Sequence, residues 1–222
     1  MAEILEKNCF KNIKNIYCDF DGTITKKDAV NTFFELYADK KWTYYEQLWV
    51  DGKITSRENA VKQVALLPSL SEDIVNDYIN SIEIDGYFLD FVKYVESKNL
   101  NLIILSDGFD LFIKKTLEKY NLRNIKYFAN RLKHENGRFS IEFPYFNKDC
   151  SVGAGMCKCS NVKEKSFCYI GDGTSDLCVA KRASVLFATK NLATFCNKTD
   201  IKYIPFDSFC NIIDFMKGNW EK

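Results

Sequence analysis

The amino-acid sequence predicts an α/β protein with a doubly wound, mostly parallel sheet and a small helical cap inserted after the first strand. Short apolar runs typical of buried strands alternate along the chain with segments whose apolar residues recur at helical spacing. Several of these runs end in aspartate, serine or glycine, as strands do when they deliver side chains to one edge of a parallel sheet. Together these patterns favour a Rossmann-like core.

The first predicted strand, residues 13–20, leads into Asp19-Phe20-Asp21-Gly22-Thr23. If the chain stays extended, Asp19 and Asp21 point the same way and lie about 6.6 Å apart along it. That separation suits a phosphoryl group between the two carboxylates. One carboxylate could attack phosphorus, while the other protonates the leaving oxygen and then deprotonates the hydrolytic water.

Residues 28–84 show helical spacing and no strand pattern. We therefore predict a cap domain over residues 26–84 and a core domain formed by residues 1–25 and 85–222. The aromatic residues of the cap either line a pocket for an apolar substrate tail or form the cap's own core, and the second role is the more common one. These residues are Phe33, Phe34, Tyr37, Trp42, Tyr44, Tyr45 and Trp49.

The chain after the cap returns to alternating strands and helices. Asn136-Gly137 predicts a hairpin turn between two short antiparallel strands. The other predicted elements are, in order, helix 87–98, strand 102–105, a helix around 111–117, strand 167–170, helix 174–182, strand 185–187 and a last helix through Phe209, Ile213 and Met216.

A second acidic segment, Gly171 to Asp176, follows a predicted strand near the end of the chain. Asp172 and Asp176 are four residues apart at the start of a predicted helix, so their Cβ atoms should share a face about 5 to 6 Å apart. A phosphate beside such carboxylates costs about 4 kcal/mol for each charge pair at 4 Å, so a cation must compensate. Oxygen-only ligands favour Mg²⁺ over zinc, and we expect Asp19, Asp172 and Asp176 to form a dense negative site for it.

The phosphate itself needs donors. Ser106 follows the strand at 102–105 and precedes a helix, so its hydroxyl and the backbone N–H groups of Asp107 and Gly108 can bind a phosphate. Lys158 precedes the strand that leads to the second acidic segment, and as a point charge it would stabilise both nucleophile and phosphoryl oxygens. The alternatives for this lysine are Lys163 and Lys165.

The composition excludes several classes of partner. The chain has 31 Lys and Arg against 30 Asp and Glu, a net charge of +1, so no field attracts nucleic acid or an anionic membrane. Its amino terminus lacks a basic region followed by an apolar stretch, and no segment reaches the roughly 20 apolar residues that span a bilayer. The nine cysteines are expected to be reduced, which predicts a cytoplasmic protein.

Cysteine and histidine often bind metals or take part in catalysis, but their positions in this sequence do not favour either role. Cys150, Cys157 and Cys159 lack a paired two-residue spacing and a second cluster of ligands, so idle or buried thiols are the better interpretation than zinc. His134, the single histidine, lies beside the predicted hairpin turn in a charged segment. We assign it no catalytic role.

In this order along the chain, the motifs resemble those of the haloacid dehalogenase superfamily of aspartate-nucleophile phosphatases, and the resemblance covers nearly the whole sequence. It implies that Asp19 is the nucleophile and Asp21 the general acid/base. It further implies that the Asp19 carboxylate, the Asp21 backbone carbonyl and Asp172 hold Mg²⁺, with Asp176 ligating directly or through water. Ser106 and Lys158 would hold the phosphoryl group.

The predicted helical insert looks like the small cap of the phosphoserine-phosphatase-like branch. Within that branch, three features are most similar to the 2-hydroxy-3-keto-5-methylthiopentenyl-1-phosphate phosphatase group of methionine salvage. They are the run Asp-Gly-Thr-Ile-Thr with Asp28 shortly after, the cysteine-flanked Lys158, and Ser-Asp-Leu-Cys-Val-Ala-Lys after Thr174. The sequence departs from many relatives at Asp107, where they have glycine, and in the 14 positions between Lys158 and Asp172, which leave room for only a short helix.

These features predict a Mg²⁺-dependent phosphatase of a small phosphorylated metabolite, either a monomer or a homodimer. A phosphoserine phosphatase or another small-metabolite phosphatase is the alternative, and in that branch an acid and an arginine grip the substrate. Asp28 and Arg57 are the candidates here, although a helix cap and a solvated side chain explain them equally well. A non-catalytic phosphoryl-accepting regulator is the alternative of another class, and Asp21 argues against it. A cap of nearly 60 residues argues against a folded protein substrate.

Overall fold

The computed structural model describes residues 12–150 and 152–220 of the 222-residue chain. The described residues form two compact units. Of the described residues, the first unit takes in 12–26, Ile84–Leu105 and 162–220, and the second takes in Lys27–Glu83, 106–150 and 152–161. Residues 1–11, which the predicted core domain includes, lie outside the described residues. The predicted division into core and cap stays a prediction.

The elements follow the alternating order expected of an α/β chain. The strands are β1 (Asn15–Cys18), β2 (Asn101–Phe109), β3 (Lys126–Glu135), β4 (Arg138–Glu142), β5 (Cys168–Gly171), β6 (Val185–Ala188) and β7 (Ile204–Pro205). The helices are α1 (Ala29–Tyr37), α2 (Trp42–Val50), α3 (Ser56–Val64), α4 (Glu72–Ser81), α5 (Phe88–Ser97), α6 (Asp110–Lys119), α7 (Lys158–Asn161), α8 (Leu177–Ala180), α9 (Lys190–Thr199) and α10 (Phe209–Trp220).

Parallel strands form the sheet of the first unit, in the order β2-β1-β5-β6-β7. Ile16 in the central strand pairs with Leu102 on one side and Cys168 on the other. Every residue of β5 and β6 is buried, as expected where both faces of a sheet are covered. The predicted doubly wound, mostly parallel sheet is confirmed.

Helices α5 and α10 of the first unit pack through aromatic rings. Phe88 and Phe91 each lie 4.9 Å from Phe209 between ring centroids, and all three side chains are fully buried. Burying such rings removes a large apolar area from water. This contact joins the segment just after the predicted cap to the carboxyl-terminal helix.

The second unit is built around Phe33 of α1. Its ring centroid lies 4.8 Å from that of Tyr78, 5.1 Å from Phe112 and 5.8 Å from Phe139. Of the cap aromatics, Phe33 and Phe34 are buried in this core, whereas Tyr44 is 61% exposed. The core role that we considered the more common one therefore holds for these two phenylalanines.

Two predicted elements differ from the observed ones, and helix α9 and strand β7 were not predicted. Strand β2 continues to Phe109, so Ser106 lies within a strand instead of just after one. The predicted helix at 174–182 is a 3₁₀ turn, Thr174–Asp176, followed by α8, because the Asp176 N–H bonds to the Gly173 carbonyl three residues back. Helix α9 was missed, since its apolar residues lie only between Leu192 and Cys196 and the residues on either side are polar.

The hairpin of the second unit turns at Asn136-Gly137, as predicted. Both residues have positive φ, 50° and 77°, which is the requirement of a two-residue turn between antiparallel strands. A Cβ atom at Gly137 would lie 2.5 Å from Ser69 Oγ and 3.1 Å from the Leu70 carbonyl oxygen. The turn therefore demands glycine for two separate reasons.

Gly137→Ala should lower the free energy of unfolding by more than Gly52→Ala. Gly52 has φ +69° and open space around it, so its alanine variant should lose only the left-handed penalty of about 1 to 2 kcal/mol. The Gly137 variant adds a steric clash, which should cost about 1 kcal/mol more. Urea unfolding of both variants measures the difference, and equal losses would contradict the close packing at Gly137.

Candidate active site

Two acidic segments begin where neighbouring parallel strands end. Asp19 directly follows β1 and its backbone N–H donates to the Ile170 carbonyl of β5 at 2.9 Å. Asp172 directly follows β5. Because β1 and β5 are parallel and adjacent, both aspartates lie at the same edge of the sheet.

The carboxylates of Asp19, Asp172 and Asp176 form one cluster. Their nearest oxygen atoms all lie within 4.8 Å of one another, and Asp19 and Asp176 are buried. Within the described part of the chain, this is the group of acidic, histidine or cysteine side chains with the spacing to hold a metal ion. Three carboxylate donors at this spacing fit a hard divalent cation.

Asp176 is held in place by three donors. The Tyr169 hydroxyl donates to Oδ1 at 2.5 Å, and the backbone N–H groups of Asp172 and Gly173 donate to Oδ2 at 3.0 and 2.9 Å. Burial and the neighbouring Asp176 carboxylate raise the pKa of Tyr169 well above its ordinary value, so the phenol keeps its proton and stays a donor. These contacts order the turn that follows β5.

Asp172 carries a hydrogen bond on each carboxylate oxygen. Thr23 Oγ1 donates to Oδ1 at 3.0 Å and Lys190 Nζ donates to Oδ2 at 3.0 Å. Desolvation, together with the nearby Asp176 charge, raises the pKa of Asp172, and Lys190 and Thr23 oppose that shift. Simultaneous ionisation of all three carboxylates is therefore unfavourable in this cluster when no cation is bound.

Gly22 allows the turn after β1 to pass close to Asp172. Its φ of +75° lies in the left-handed region, and a Cβ atom there would stand 2.6 Å from Asp172 Oδ2. The Gly22 N–H donates to Thr25 Oγ1 at 2.9 Å, and that hydroxyl donates to the Phe20 carbonyl at 3.2 Å. Asp21, within this turn, is half-buried.

The predicted phosphate-binding residues belong to the second unit. Ser106 is 1% exposed, and its Oγ accepts a hydrogen bond from the Gly108 N–H at 2.9 Å. Lys158, the first residue of α7, is also 1% exposed. The alternative lysines, Lys163 and Lys165, are exposed. Since α7 has only four residues, the short helix expected between Lys158 and Asp172 is present.

Asp107 connects several parts of the second unit through its side chain. Its Oδ1 accepts hydrogen bonds from Asn130 Nδ2 at 3.0 Å and from the Met156 N–H at 2.8 Å, and its Oδ2 accepts one from the Ser56 hydroxyl. Met156 lies two residues before Lys158. The Asp107 carboxylate thus joins β2, β3, α3 and the segment before Lys158.

Asp28 and Arg57 make local contacts in the second unit. Asp28 caps α1, because its carboxylate accepts from the Asn31 N–H at 2.8 Å and from Asn31 Nδ2 at 3.1 Å. The Arg57 guanidinium lies 4.4 Å above the Phe146 ring centroid, a cation–π contact. Asp28 therefore acts as the N-cap of α1, one of its two predicted roles. Arg57 is stacked on an aromatic ring and is not simply a solvated side chain.

Comparison with known proteins identifies the family. Residues 16–181 match the family model of the haloacid dehalogenase-like hydrolases. The chain belongs to this family. The match includes Asp19, Asp21, Ser106, Lys158, Asp172 and Asp176, and it confirms the predicted resemblance and the prediction of an enzyme.

Two curated relatives of this hydrolase carry the same name, 2-hydroxy-3-keto-5-methylthiopentenyl-1-phosphate phosphatase. The protein from Bacillus velezensis is 30% identical over 201 residues, 87% of this chain and 86% of the relative. The protein from Brevibacillus brevis is 29% identical over 209 residues, 91% of this chain and 94% of the relative.

Among solved structures, a phospho-aspartyl intermediate analogue of phosphoserine phosphatase is similar, with a TM-score of 0.68 and 20% identity. The alignment covers 92% of this hydrolase and 99% of that chain. At this identity the likeness shows the shared fold. No helix in residues 12–150 or 152–220 is long and apolar enough to cross a membrane.

Three residues of the hydrolase's acidic site were missed in the sequence analysis. Thr23 stands in the first motif and could have been noticed there. Tyr169 lies inside a buried strand, where an aromatic residue needs no functional explanation. Lys190 is 18 residues from Asp172, at the start of the helix that the sequence pattern failed to predict, so no local signal indicated it.

Tyr169→Phe should destabilise the hydrolase by about 1.5 to 3 kcal/mol, because it removes a buried hydrogen bond to a charged acceptor. Tyr44→Phe, at an exposed position, should change the free energy of unfolding by less than about 0.5 kcal/mol. Urea unfolding with EDTA present measures both. A Tyr169 variant as stable as the Tyr44 variant would refute the role of this hydroxyl.

The raised pKa of Asp172 predicts a pH effect on the metal-free hydrolase. The native state binds the Asp172 proton more tightly than the unfolded state, so its contribution to stability is lost as pH rises from the ordinary aspartate pKa through the raised value. Asp172→Asn should remove this fall from the unfolding free energy measured across that range. Asp207→Asn, at an exposed site, should keep it, and an unchanged profile in the Asp172 variant contradicts the shift.

Proposed function

We propose that this chain is a Mg²⁺-dependent phosphomonoesterase that acts on a small phosphorylated metabolite through an aspartyl-phosphate. The observation that carries the proposal is the cluster of Asp19, Asp172 and Asp176 at the edge where β1 and β5 end. A site with three carboxylates repels a phosphate unless a cation is bound with it. Membership of the hydrolase family and the names of the relatives support the same chemistry.

Asp19, Asp172 and the backbone carbonyl of Asp21 are the groups that we expect to hold Mg²⁺. Asp176 already accepts three hydrogen bonds, which favours contact through water and a role in fixing the loop. When bound, the ion supplies positive charge that neutralises the phosphoryl oxygens and keeps the nucleophilic carboxylate ionised.

Asp19 is the proposed nucleophile. Its Oδ1 accepts a hydrogen bond from the Phe20 N–H at 2.8 Å, which fixes the orientation of the carboxylate. In the first step an Asp19 oxygen forms a bond to phosphorus while the bond to the leaving oxygen breaks, and Asp21 donates its proton to that oxygen. In the second step Asp21 takes a proton from water, the water oxygen bonds to phosphorus, and the Asp19–phosphorus bond breaks.

Ser106 and Lys158 are the proposed phosphate-binding residues, with the N–H groups of Asp107 and Gly108 as further donors. The Gly108 N–H already bonds to Ser106 Oγ, which orients this hydroxyl. Lys158 is buried, and an ammonium in such a place interacts strongly with anionic oxygens. The burial of Lys158 and the exposure of Lys163 and Lys165 support the choice of Lys158.

The substrate that we favour is 2-hydroxy-3-keto-5-methylthiopentenyl-1-phosphate, which places the enzyme in methionine salvage. The names of the relatives support it. The contacts of two predicted cap residues also support this substrate. The Asp28 carboxylate is hydrogen-bonded to Asn31 and the Arg57 guanidinium is stacked on Phe146, and neither arrangement suits the amino and carboxylate groups of phosphoserine. No disulfide joins the eight cysteines in the described part of the chain, consistent with the cytoplasmic location that we propose.

Asp19→Asn should reduce phosphate release from the keto-phosphate by about 10³-fold or more, because it removes the nucleophile. Asp207→Asn, an exposed aspartate of the same unit, is the matched control and should retain wild-type turnover. EDTA should abolish wild-type activity and added Mg²⁺ should restore it. Wild-type turnover by the Asp19 variant would show that the mechanism is wrong.

A comparison of substrates tests the specificity. The enzyme should hydrolyse the keto-phosphate with a kcat/KM at least about 100-fold above that for free phosphoserine, since a site that leaves polar substrate groups unpaired discriminates strongly. The reverse preference would favour a phosphoserine phosphatase. Absence of turnover with a broad panel of phosphometabolites would favour a non-catalytic phosphoryl acceptor.

A further inference from the structure

Lys190 joins the two turns that carry the acidic site. Its Nζ donates to Asp172 Oδ2 at 3.0 Å and also to the Gly22 carbonyl oxygen. Gly22 directly follows Asp21, so one ammonium contacts the turn after β1 and the carboxylate after β5. The other oxygen of Asp172 is held independently by Thr23.

The backbone at Lys190 is strained. Its φ is +45°, in the left-handed region that costs a residue with a Cβ atom about 1 to 2 kcal/mol. Neighbouring contacts fix this conformation, because the Thr189 N–H donates to the Gly171 carbonyl at 3.2 Å and the Leu192 N–H to the Asp172 carbonyl at 2.9 Å. Strained residues of this kind concentrate at functional sites.

The ion pair of Lys190 contributes little to the stability of the fold. Its side chain is 52% exposed, and an ion pair with one such partner contributes only a few tenths to about 1 kcal/mol to folding. Its charge, however, stands beside a cluster of three carboxylates. The formal sum of three negative charges and one positive charge is −2, which one divalent cation neutralises.

We propose that Lys190 is a positioning residue that acts as a resident counter-ion of the metal site. Its ammonium holds Asp172 and the Gly22 carbonyl in place, and its charge lowers the affinity of the cluster for cations so that a divalent ion is matched better than a trivalent one. This inference rests on the proposed metal site of the enzyme and extends it to a residue outside the motifs.

The positive charge of Lys190 predicts the direction in which metal affinity changes when the charge is removed. Removing it should strengthen Mg²⁺ binding by about threefold to tenfold, because a half-exposed positive charge no longer repels the ion. Repulsion is proportional to the charge of the bound ion. A trivalent ion such as Tb³⁺ should therefore gain more, with a logarithmic increase in affinity about 1.5 times that of Mg²⁺.

The experiment titrates the metal-free, full-length protein with Mg²⁺ and with Tb³⁺ in a calorimeter, without substrate. Lys190→Met removes the charge and the donor, Lys190→Gln keeps a donor without the charge, and Lys190→Arg keeps the charge. The first two should bind both ions more tightly than wild type, and the third should stay close to wild type. Lys217→Met, an exposed lysine of α10, is the matched control and should also match wild type.

The titrations distinguish failure of the Lys190 proposal from failure of the proposed metal site. If wild type binds Mg²⁺ and the Met and Gln variants bind it equally or more weakly, the counter-ion role is overturned while the metal site stands. If wild type binds no divalent ion, both proposals are overturned. Tighter binding in the Gln variant alone still supports the proposal if the Met variant does not fold, because the Gln variant lacks only the charge.

Discussion

Repulsion among three carboxylates is the constraint on which the rest of the site depends. Asp19, Asp172 and Asp176 lie within 4.8 Å of one another at a sheet edge where two of them are buried. Donors around the cluster reduce that repulsion and hold the carboxylates in place. Hydrogen bonds from backbone N–H groups, Tyr169, Thr23 and Lys190 leave a preorganised anionic site that suits a divalent cation.

The fold brings these groups together through its topology. Parallel pairing of β1 with β5 sets Asp19 and Asp172 at one edge, although 153 positions separate them in the sequence. The strained or open backbone at Gly22 and Lys190 then lets the two turns approach each other. In the second unit, the Asp107 carboxylate accepts hydrogen bonds from Asn130, Ser56 and the segment before Lys158. The acidic site thus combines a strained backbone at Lys190 with the buried carboxylates of Asp19 and Asp176.

Short-range sequence patterns indicated six of the seven strands in the described residues, all but β7, and the motifs that follow them. The alternation of apolar runs with carboxylates predicted the parallel sheet, the Asn136-Gly137 hairpin and the meeting of Asp19 with Asp172 and Asp176. The supporting residues were harder to predict. Lys190 and Tyr169 contact the cluster from a turn and a strand whose sequences look ordinary. The side-chain role of Asp107 depends on distant partners in β3, in α3 and in the segment before Lys158.

The central claim is that Asp19 carries the phosphoryl group during turnover. Acid quenching of the wild-type enzyme during hydrolysis of the keto-phosphate, followed by borohydride reduction and peptide mass analysis, identifies the phosphorylated side chain directly. We expect the reduced product of a phospho-aspartyl group at Asp19 when Mg²⁺ and substrate are both present, and its absence when either is left out. Steady turnover with no modification at Asp19, or with the phosphoryl group on another residue, would contradict it.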